Sequence, residues 1–261
     1  MIDERSRRPI DLRFEAGPFD VIGDVHGCSA ELEALLLRLG YPLSRDSGGR
    51  VVGATHPTKR TVVFVGDLAD RGPDTPGVFR LVMGMVAAGS ALCMPGNHDD
   101  KLLRSLIGRN VQVNNGLAES LAQIGEEPEA FREQVVSFIR GLSPHHLLDG
   151  GRLVVSHAGL PERFHGEESD RARRFCLYGD TSGGTDKSGL PIRGDWAKDY
   201  RGKAMVLYGH TAVGASEWVN NTMCLDTGCV FGGWLTALRY PERELVSVPA
   251  AKVYYEPSRP F

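Results

Sequence analysis

Six short apolar stretches of the chain run into residues that can bind metal ions or carry charge, each time together with a glycine. In chain order these endings are Gly-Asp24-Val-His26-Gly, Gly-Asp67-Leu-Ala-Asp70-Arg71-Gly, Gly-Asn97-His98-Asp99, Ser-His157-Ala-Gly, Gly-His210-Thr and Asp226-Thr-Gly. Imidazoles, carboxylates and an amide, without a thiolate, are the mixed nitrogen and oxygen donors typical of Mn²⁺, Fe or Zn²⁺ sites. The endings therefore predict a metal site.

The number of donors indicates two metal ions. The carboxylates of Asp24 and Asp67, together with three of the imidazoles, outnumber the ligands of one ion that keeps an open position. Two ions ~3.5–4 Å apart that share a carboxylate fit better, and this is the layout of sites that hydrolyse phosphate esters. Arg71, next to the cluster, offers a guanidinium fork that matches phosphate oxygens.

The elements that must position these residues are alternating strands and helices. Apolar runs at Phe19–Ile22, 61–65 and 90–94 predict strands, and helical spacing over 32–39 and 76–88 predicts the helices between them. This alternation is typical of an α/β fold, in which the carboxyl ends of the strands meet at one crevice. One such ending alone is more often a solvated turn, but six at strand ends favour a single site.

The remaining segments of the chain have weaker secondary-structure patterns. Residues 1–18 are polar, rich in arginine and interrupted by prolines, which predicts an arm or linker before a domain over 19–261. The helical pattern over 117–142, with a break over 125–128, could roof a cleft or pack as a layer on the sheet. Strands dominate after residue 152, and the Gly-rich stretch over 179–195 predicts a long surface loop.

The overall composition is that of an ordinary soluble protein. The chain has 261 residues, 41% of them hydrophobic, and a net charge of −3 with no global basic character for non-specific nucleic-acid binding. Five cysteines without a C-x-x-C pair argue against a disulfide framework or a structural zinc site, and fit a reducing cytoplasm. No signal peptide or membrane span is recognisable, so we expect a cytoplasmic protein without a membrane partner.

The motifs GDVHG, GDLADRG, GNHD, SHAG and YGHT, in this order, resemble those of calcineurin-like metallophosphoesterases, and more narrowly their phosphoprotein-phosphatase branch. The resemblance implies a two-sheet β sandwich flanked by helices, with a binuclear metal centre. It implies that His98 is the general acid, that Asp70 orients it, and that Arg71 clamps the phosphate. It also implies that Asp24 and His26 bind the first metal ion, that Asp67 bridges the two ions, and that Asn97, His157 and His210 bind the second.

Longer stretches, such as GNHDDKLLR and LDTGCVFGGWLTALRYPERELVSVPA, resemble the phosphatase domain of bacterial polynucleotide kinase-phosphatase. That implies removal of 2′- or 3′-phosphates and opening of 2′,3′-cyclic phosphates on RNA or nucleotide ends, with two divalent ions, Mn²⁺ first and Fe, Zn or Ni as alternatives. Kinase, ligase or RNA-methyltransferase repair partners on other chains would fit. The 261 residues contain no phosphate-binding Gly-x-x-x-x-Gly-Lys-Ser/Thr loop, so we expect a stand-alone homologue or an excised domain.

Other functions remain open at this point. Within the same superfamily these are a dinucleoside tetraphosphate hydrolase and a Ser/Thr protein phosphatase, because the metal motifs are shared. An aspartic protease would need Asp226-Thr-Gly to pair with Asp46-Ser-Gly, but no apolar strand precedes Asp46. A binding module with a decayed site would not retain every ligand. Asp226 is predicted to orient an imidazole or a water beside the metal ligands, or else to cap a turn.

Overall fold

A computed structural model describes residues 9–185 and 191–258. The strands are β1 (Asp11–Leu12), β2 (Phe19–Ile22), β3 (Leu43–Arg45), β4 (Val51–Ala54), β5 (Thr61–Phe64), β6 (Ala91–Cys93), β7 (His145–Leu148), β8 (Leu153–Ser156), β9 (Thr181–Thr185), β10 (Pro191–Arg193), β11 (Met205–Tyr208), β12 (Trp218–Val219), β13 (Thr222–Cys224), β14 (Trp234–Tyr240) and β15 (Glu244–Pro249). The α-helices are α1 (Ser29–Leu39), α2 (Thr75–Ala87), α3 (Asn97–Leu106), α4 (Leu117–Gly125), α5 (Glu129–Arg140), α6 (Asp170–Tyr178) and α7 (Trp196–Asp199).

Two large sheets form the centre of the fold. One has six strands in the order β1-β7-β8-β11-β13-β12, and the other has five in the order β15-β14-β2-β5-β6. In the first sheet β8, β11 and β13 are parallel neighbours, and in the second β2, β5 and β6 are. Parallel neighbours present their carboxyl ends at the same edge, so each sheet brings three of the six predicted endings together.

The alternation of side chains along the strands divides the core. In β5, Val63 packs between the two sheets, whereas Val62 and Phe64 pack on the side of α1 and α2. In β11, Leu207 joins the core between the sheets and Val206 packs with α6 and α7 on the outer face. Successive strand residues point to opposite faces, so strands this apolar must be covered on both sides. The predicted two-sheet sandwich flanked by helices is confirmed.

The helical pattern over 117–142 forms two helices, α4 and α5, separated by the break before Pro128. Leu117 and Ile124 of α4, and Val135 and Ile139 of α5, are buried in the core that covers the five-stranded sheet. Both helices therefore contribute to this core, where they pack on α2 and α3.

Two segments differ from the sequence predictions. Residues 1–8 of the predicted arm lie outside the described residues, but Asp11–Leu12 pairs in parallel with β7, and Ile10 and Leu12 are buried. The end of the predicted arm packs on the domain because burial of these two apolar side chains is favourable. The predicted loop over 179–195 contains a hairpin of β9 and β10, and its residues 186–190 lie outside the described residues. None of the described helices is long and apolar enough to cross a membrane.

Candidate active site

The carboxyl ends of the two sheets meet at one place. The Asp24 carboxylate, which follows β2, accepts hydrogen bonds from the backbone N–H of His210, at 3.0 Å to Oδ2 and 3.2 Å to Oδ1. His210 follows β11 of the other sheet. The backbone N–H of Gly209 donates to the carbonyl of His157, which joins the loops after β11 and β8. Residues far apart in the sequence are thus assembled in one cluster.

Asp67 lies at the centre of the cluster. Its Oδ2 is 3.6 Å from Nε2 of His26 on one side and 3.4 Å from Nε2 of His157 on the other. Nε2 of His157 is also 3.0 Å from Oδ1 of Asn97 and 3.0 Å from Nδ1 of His210. One carboxylate is therefore shared by two groups of donor atoms, which is the arrangement that a bridging ligand requires.

Backbone groups hold the donors in place. Nδ1 of His26 is 2.8 Å from the carbonyl oxygen of Ala69, so Nδ1 carries the proton and the unprotonated Nε2 lies on the side of the cluster. Oδ1 of Asp67 accepts from the N–H of His98 at 2.9 Å. Because these contacts fix one atom of each side chain, the other atom is left to face the centre of the site.

Five residues of the site have backbone angles in the left-handed region: His26 (φ 45°), Asp67 (φ 49°), Asp70 (φ 75°), Arg71 (φ 71°) and His210 (φ 77°). Each such non-glycine residue costs ~1–3 kcal/mol and persists only where the surrounding structure imposes it. The N–H groups of Val25 and His26 both donate to the carbonyl of Asp67 and so join two of these turns. The strain is concentrated where the ligands must converge.

Burial and neighbouring charges shift the pKa values of the ionisable side chains in the site. Burial raises the pKa of Asp24 and of Asp67 well above the ordinary value, and the neighbouring carboxylates Asp226 and Asp99 raise these two pKa values further. Burial also lowers the pKa of His26, with the charge of Arg71 adding to the effect, so this imidazole is neutral. Buried carboxylates beside neutral imidazoles are the donors that divalent cations bind.

His98, Asp70 and Arg71 form a second hydrogen-bonded group. Nη2 of Arg71 donates to Nε2 of His98 at 2.9 Å, and Nη1 donates to Nε2 of His26 at 2.8 Å. Because a guanidinium only donates, the proton of His98 is on Nδ1, which donates to Oδ2 of Asp70 at 2.6 Å. Burial raises the pKa of Asp70 to about 6, and the N–H of Asp70 donates to Oγ of Ser120 in α4. The predicted acid, its partner and the predicted phosphate clamp are thus in contact.

Asp99 has a supporting role that the sequence did not predict. Its Oδ1 accepts from the N–H groups of Leu68 at 2.9 Å and Ala69 at 3.2 Å, and its Oδ2 accepts from that of Gly96 at 2.9 Å. This fully buried carboxylate joins the turn after β5 to the turn after β6, and burial raises its pKa to about 7. Its position in the first turn of α3 was the available signal, because an acid there often bonds backbone N–H groups.

The two aspartates of the protease hypothesis lie in unrelated places. Asp46 lies in the turn between β3 and β4, where its carboxylate accepts from Nε of Arg50 at 2.8 Å. Asp226 is buried next to Asp24 and accepts from the N–H of Gly228 at 3.0 Å, a turn contact. They do not form a pair of facing carboxylates. Orientation of an imidazole by Asp226 stays a prediction.

The model of the calcineurin-like phosphoesterase family matches residues 17–214. The chain belongs to the calcineurin-like phosphoesterases. This phosphoesterase is 45% identical over 248 residues to a bis(5′-nucleosyl)-tetraphosphatase PrpE [asymmetrical] of Anoxybacillus flavithermus, covering 93% of the chain and 99% of the relative. A protein of the same name from Halalkalibacterium halodurans is 45% identical over 236 residues, covering 89% of the chain and 94% of the relative.

Among solved structures, a provisionally assigned diadenosine tetraphosphatase aligns with this phosphoesterase over 94% of the chain and 98% of its own length, with a TM-score of 0.65 and 26% identity. The names of these relatives match the dinucleoside tetraphosphate hydrolase that the sequence left as an alternative. They do not match the RNA end-repair phosphatase that the sequence placed first.

Enzymes of this phosphoesterase family have a centre of two metal ions, and the described side chains fit one. The ligand atoms of Asp67, His157 and His210 lie within 4.8 Å of one another, and so do those of His26, Asp67 and His98. The first group agrees with the predicted second-metal site. The second shares His26 and Asp67 with the predicted first-metal site but contains His98 in place of Asp24. This phosphoesterase is thus a metal-dependent hydrolase, and the role of each ligand stays a prediction.

Proposed function

We propose that the protein hydrolyses dinucleoside tetraphosphates asymmetrically, to a nucleoside triphosphate and a nucleoside monophosphate. The observation that carries the proposal is the 45% identity, over nearly the full length of both chains, to a relative that bears this name. The site described above supports it, since a buried carboxylate and imidazole cluster next to an arginine suits the cleavage of a bond between phosphorus and oxygen.

Two divalent ions, held by Asp24, His26, Asp67, Asn97, His157 and His210, would supply Lewis acidity toward the phosphate and lower the pKa of water. We propose Mn²⁺ as the metal in the cell, with Fe, Zn or Ni as alternatives, because the donors are nitrogen and oxygen atoms only.

The side chains around the ions have distinct tasks in this proposal. Arg71, whose guanidinium carbon lies 5.2 Å from the ring centre of Phe231 and 5.9 Å from that of Tyr255, binds phosphate oxygens with its two Nη groups. His98, when protonated on Nε2, gives that proton to the oxygen of the leaving nucleotide. Asp70 holds Nδ1 of this imidazole and so keeps Nε2 directed at the site.

Removal of phosphates from RNA ends is a second candidate, since the stretches quoted above resemble the phosphatase of RNA end repair. In that case the substrate is an RNA or nucleotide end with a 2′-, 3′- or cyclic phosphate, and the partners are kinase, ligase or RNA-methyltransferase repair proteins on other chains. The metal chemistry is the same, so only substrate comparison separates the two functions.

The test compares substrates side by side with Mn²⁺: diadenosine tetraphosphate, RNA with a 3′- or 2′,3′-cyclic phosphate, and a phosphopeptide. We expect the highest kcat/KM on diadenosine tetraphosphate, with ATP and AMP as products by chromatography. Two molecules of ADP per substrate, or a higher kcat/KM on RNA or on the phosphopeptide, would contradict the proposal. The Asp67→Ala protein serves as the control for contaminating hydrolases.

A further inference from the structure

A second cluster of metal-binding side chains lies behind the active site. The Sγ atoms of Cys28 and Cys229 and a carboxylate oxygen of Glu31 all lie within 4.8 Å of one another. All three residues are buried, at 0%, 2% and 4% exposure. The sequence did not predict this cluster, because residues 28 and 31 lie about two hundred positions before residue 229 and form no C-x-x-C pattern.

Only one of the two carboxylate oxygens of Glu31 accepts hydrogen bonds. Its Oε1 accepts from the backbone N–H of Ala251 at 3.0 Å and from the hydroxyl of Tyr254 at 2.7 Å. Its Oε2 is buried and has no hydrogen-bond partner among the described residues. A buried carboxylate oxygen that accepts nothing is costly, and such an atom calls for an unseen partner. The two sulfur atoms are the ligand atoms grouped with this carboxylate.

Two sulfurs and one carboxylate oxygen are a donor set for a thiophilic divalent cation. Cysteine sulfur and carboxylate oxygen are both zinc ligands, and soft sulfur donors disfavour Mg²⁺ and Mn²⁺. We propose that Cys28, Glu31 and Cys229 form a third cation site, separate from the catalytic pair, that takes Zn²⁺ or a cation of the same class. With three protein ligands, a bound Zn²⁺ would keep a fourth position for a water molecule.

The site would join three segments that border the catalytic cluster. Cys28 precedes α1, two residues after His26, and Cys229 begins the 3-10 helix Cys229–Phe231. Glu31 holds the C-terminal segment through Ala251 and Tyr254, and this segment brings the ring of Tyr255 to Arg71. A cation at this site would therefore fix the segments that carry Phe231 and Tyr255, the two rings on which Arg71 packs.

Cobalt distinguishes this site from the catalytic one. Co²⁺ bound by cysteine sulfur shows an intense sulfur-to-metal charge-transfer absorption in the near ultraviolet, whereas the catalytic donors are nitrogen and oxygen atoms. We expect the full chain, reduced and loaded with Co²⁺, to show this absorption. We also expect the zinc-loaded protein to hold one ion per chain more than the Cys229→Ser protein, by elemental mass spectrometry.

Single substitutions test whether the absorption arises from this cluster or from another cysteine of the chain. Cys28→Ser and Cys229→Ser should each lose the charge-transfer absorption. Glu31→Gln should weaken Co²⁺ binding at this site at least ~10-fold, because even the loss of an outer-shell partner of a ligand costs that much. Cys93→Ser, which alters a buried cysteine outside the cluster, should retain it. Far-ultraviolet circular dichroism checks that each variant folds.

The wild-type spectrum decides even if the cysteine variants do not fold. No charge-transfer absorption in the cobalt-loaded wild-type protein would overturn the proposal. An absorption that persists in folded Cys229→Ser would also overturn it, as would a disulfide between Cys28 and Cys229 found by mass spectrometry in protein kept under a reducing agent.

Discussion

At the scale of single residues, the site depends most on Asp67. One of its oxygens is fixed by the N–H of His98, and the other faces His26 and His157 from two sides. The position is therefore set by the backbone of two separate turns, and a change there affects both donor groups at once.

Asp67→Ala should lose metal rather than only rate. Without the shared carboxylate both donor groups lose an oxygen, and we expect bound Mn²⁺ to fall at least ~10-fold. Elemental analysis after dialysis measures this. Asp46→Ala, in the partly exposed β3–β4 turn, is the control and should retain metal and activity. Full metal content in Asp67→Ala would remove the bridging role.

His98→Ala should discriminate between leaving groups. The imidazole is oriented by Asp70 and reaches the site through Nε2, so a substrate with an alkoxide leaving group should lose ~10²–10⁴-fold in kcat. A 4-nitrophenyl ester needs less help from an acid and should lose much less. Equal losses on the two esters, measured at matched metal content, would argue against the general-acid role.

At the scale of elements, the turns after the strands approach so closely that only glycine fits at several points, two of which face predicted metal ligands. A Cβ on Gly209 would lie 1.8 Å from Oδ1 of Asp24, and one on Gly96 would lie 2.0 Å from Oδ1 of Asp67. At both points the atom in the way belongs to a predicted metal ligand. A larger residue could be accommodated only if that ligand moved out of the site.

Gly209→Ala should therefore weaken metal binding more than it unfolds the protein. The Asp24 carboxylate can swing away from the new methyl group, so we expect a stability loss of only ~1–3 kcal/mol, as for other overpacked sites. Calorimetric titration with Mn²⁺ should show the weaker binding. Gly125→Ala, where a Cβ meets nothing within 4 Å, is the matched control. Unchanged Mn²⁺ affinity in Gly209→Ala would show that Asp24 is not a ligand.

The sequence predicted a helix or strand wherever the spacing of apolar residues agreed with the glycines and prolines that mark the ends of elements. Phe19–Ile22 was predicted with its observed bounds, and the helices over 117–142 were predicted with the break before Pro128. β1 was missed because two residues, Asp11 and Leu12, are too few for a periodic signal. Most candidate site residues were found because each follows a strand.

The sequence could not predict contacts between residues that are far apart in the chain but close in the folded structure. The hydrogen bonds of Asp99 to Leu68 and Ala69, and the approach of Cys229 to Cys28, arise from the packing of turns that are remote in the chain. Substrate preference was also out of reach, because it depends on surrounding loops rather than on the shared metal motifs.

At the scale of the whole molecule, the charge of the cluster couples metal binding to stability. The buried carboxylates of Asp24 and Asp67 follow neighbouring strands of the five-stranded sheet, and the negative charge of Asp67 adds to burial in raising the pKa of Asp24. A cation that binds only the folded protein offsets the cost of this charge and shifts the unfolding equilibrium.

Chelation should lower the melting temperature as well as abolish activity. At a Mn²⁺ concentration of 100 times Kd, each ion contributes ~2.7 kcal/mol, and a chain of this size shifts ~2–4 °C per kcal/mol, so we expect ~5–10 °C per ion. Differential scanning calorimetry with EDTA and then excess Mn²⁺ measures this. Activity that survives complete chelation would contradict a metal-dependent reaction.

The hydrogen bonds from the N–H of His210 to Asp24 span 186 residues. The two halves of the site thus come from opposite ends of the polypeptide, and neither half contains a complete set of ligands. During synthesis on a ribosome, a nascent chain that has not yet exposed the segment after β11 lacks His210 and so lacks one of the predicted metal ligands. We therefore expect metal-dependent hydrolysis only from chains in which this last predicted ligand has been translated.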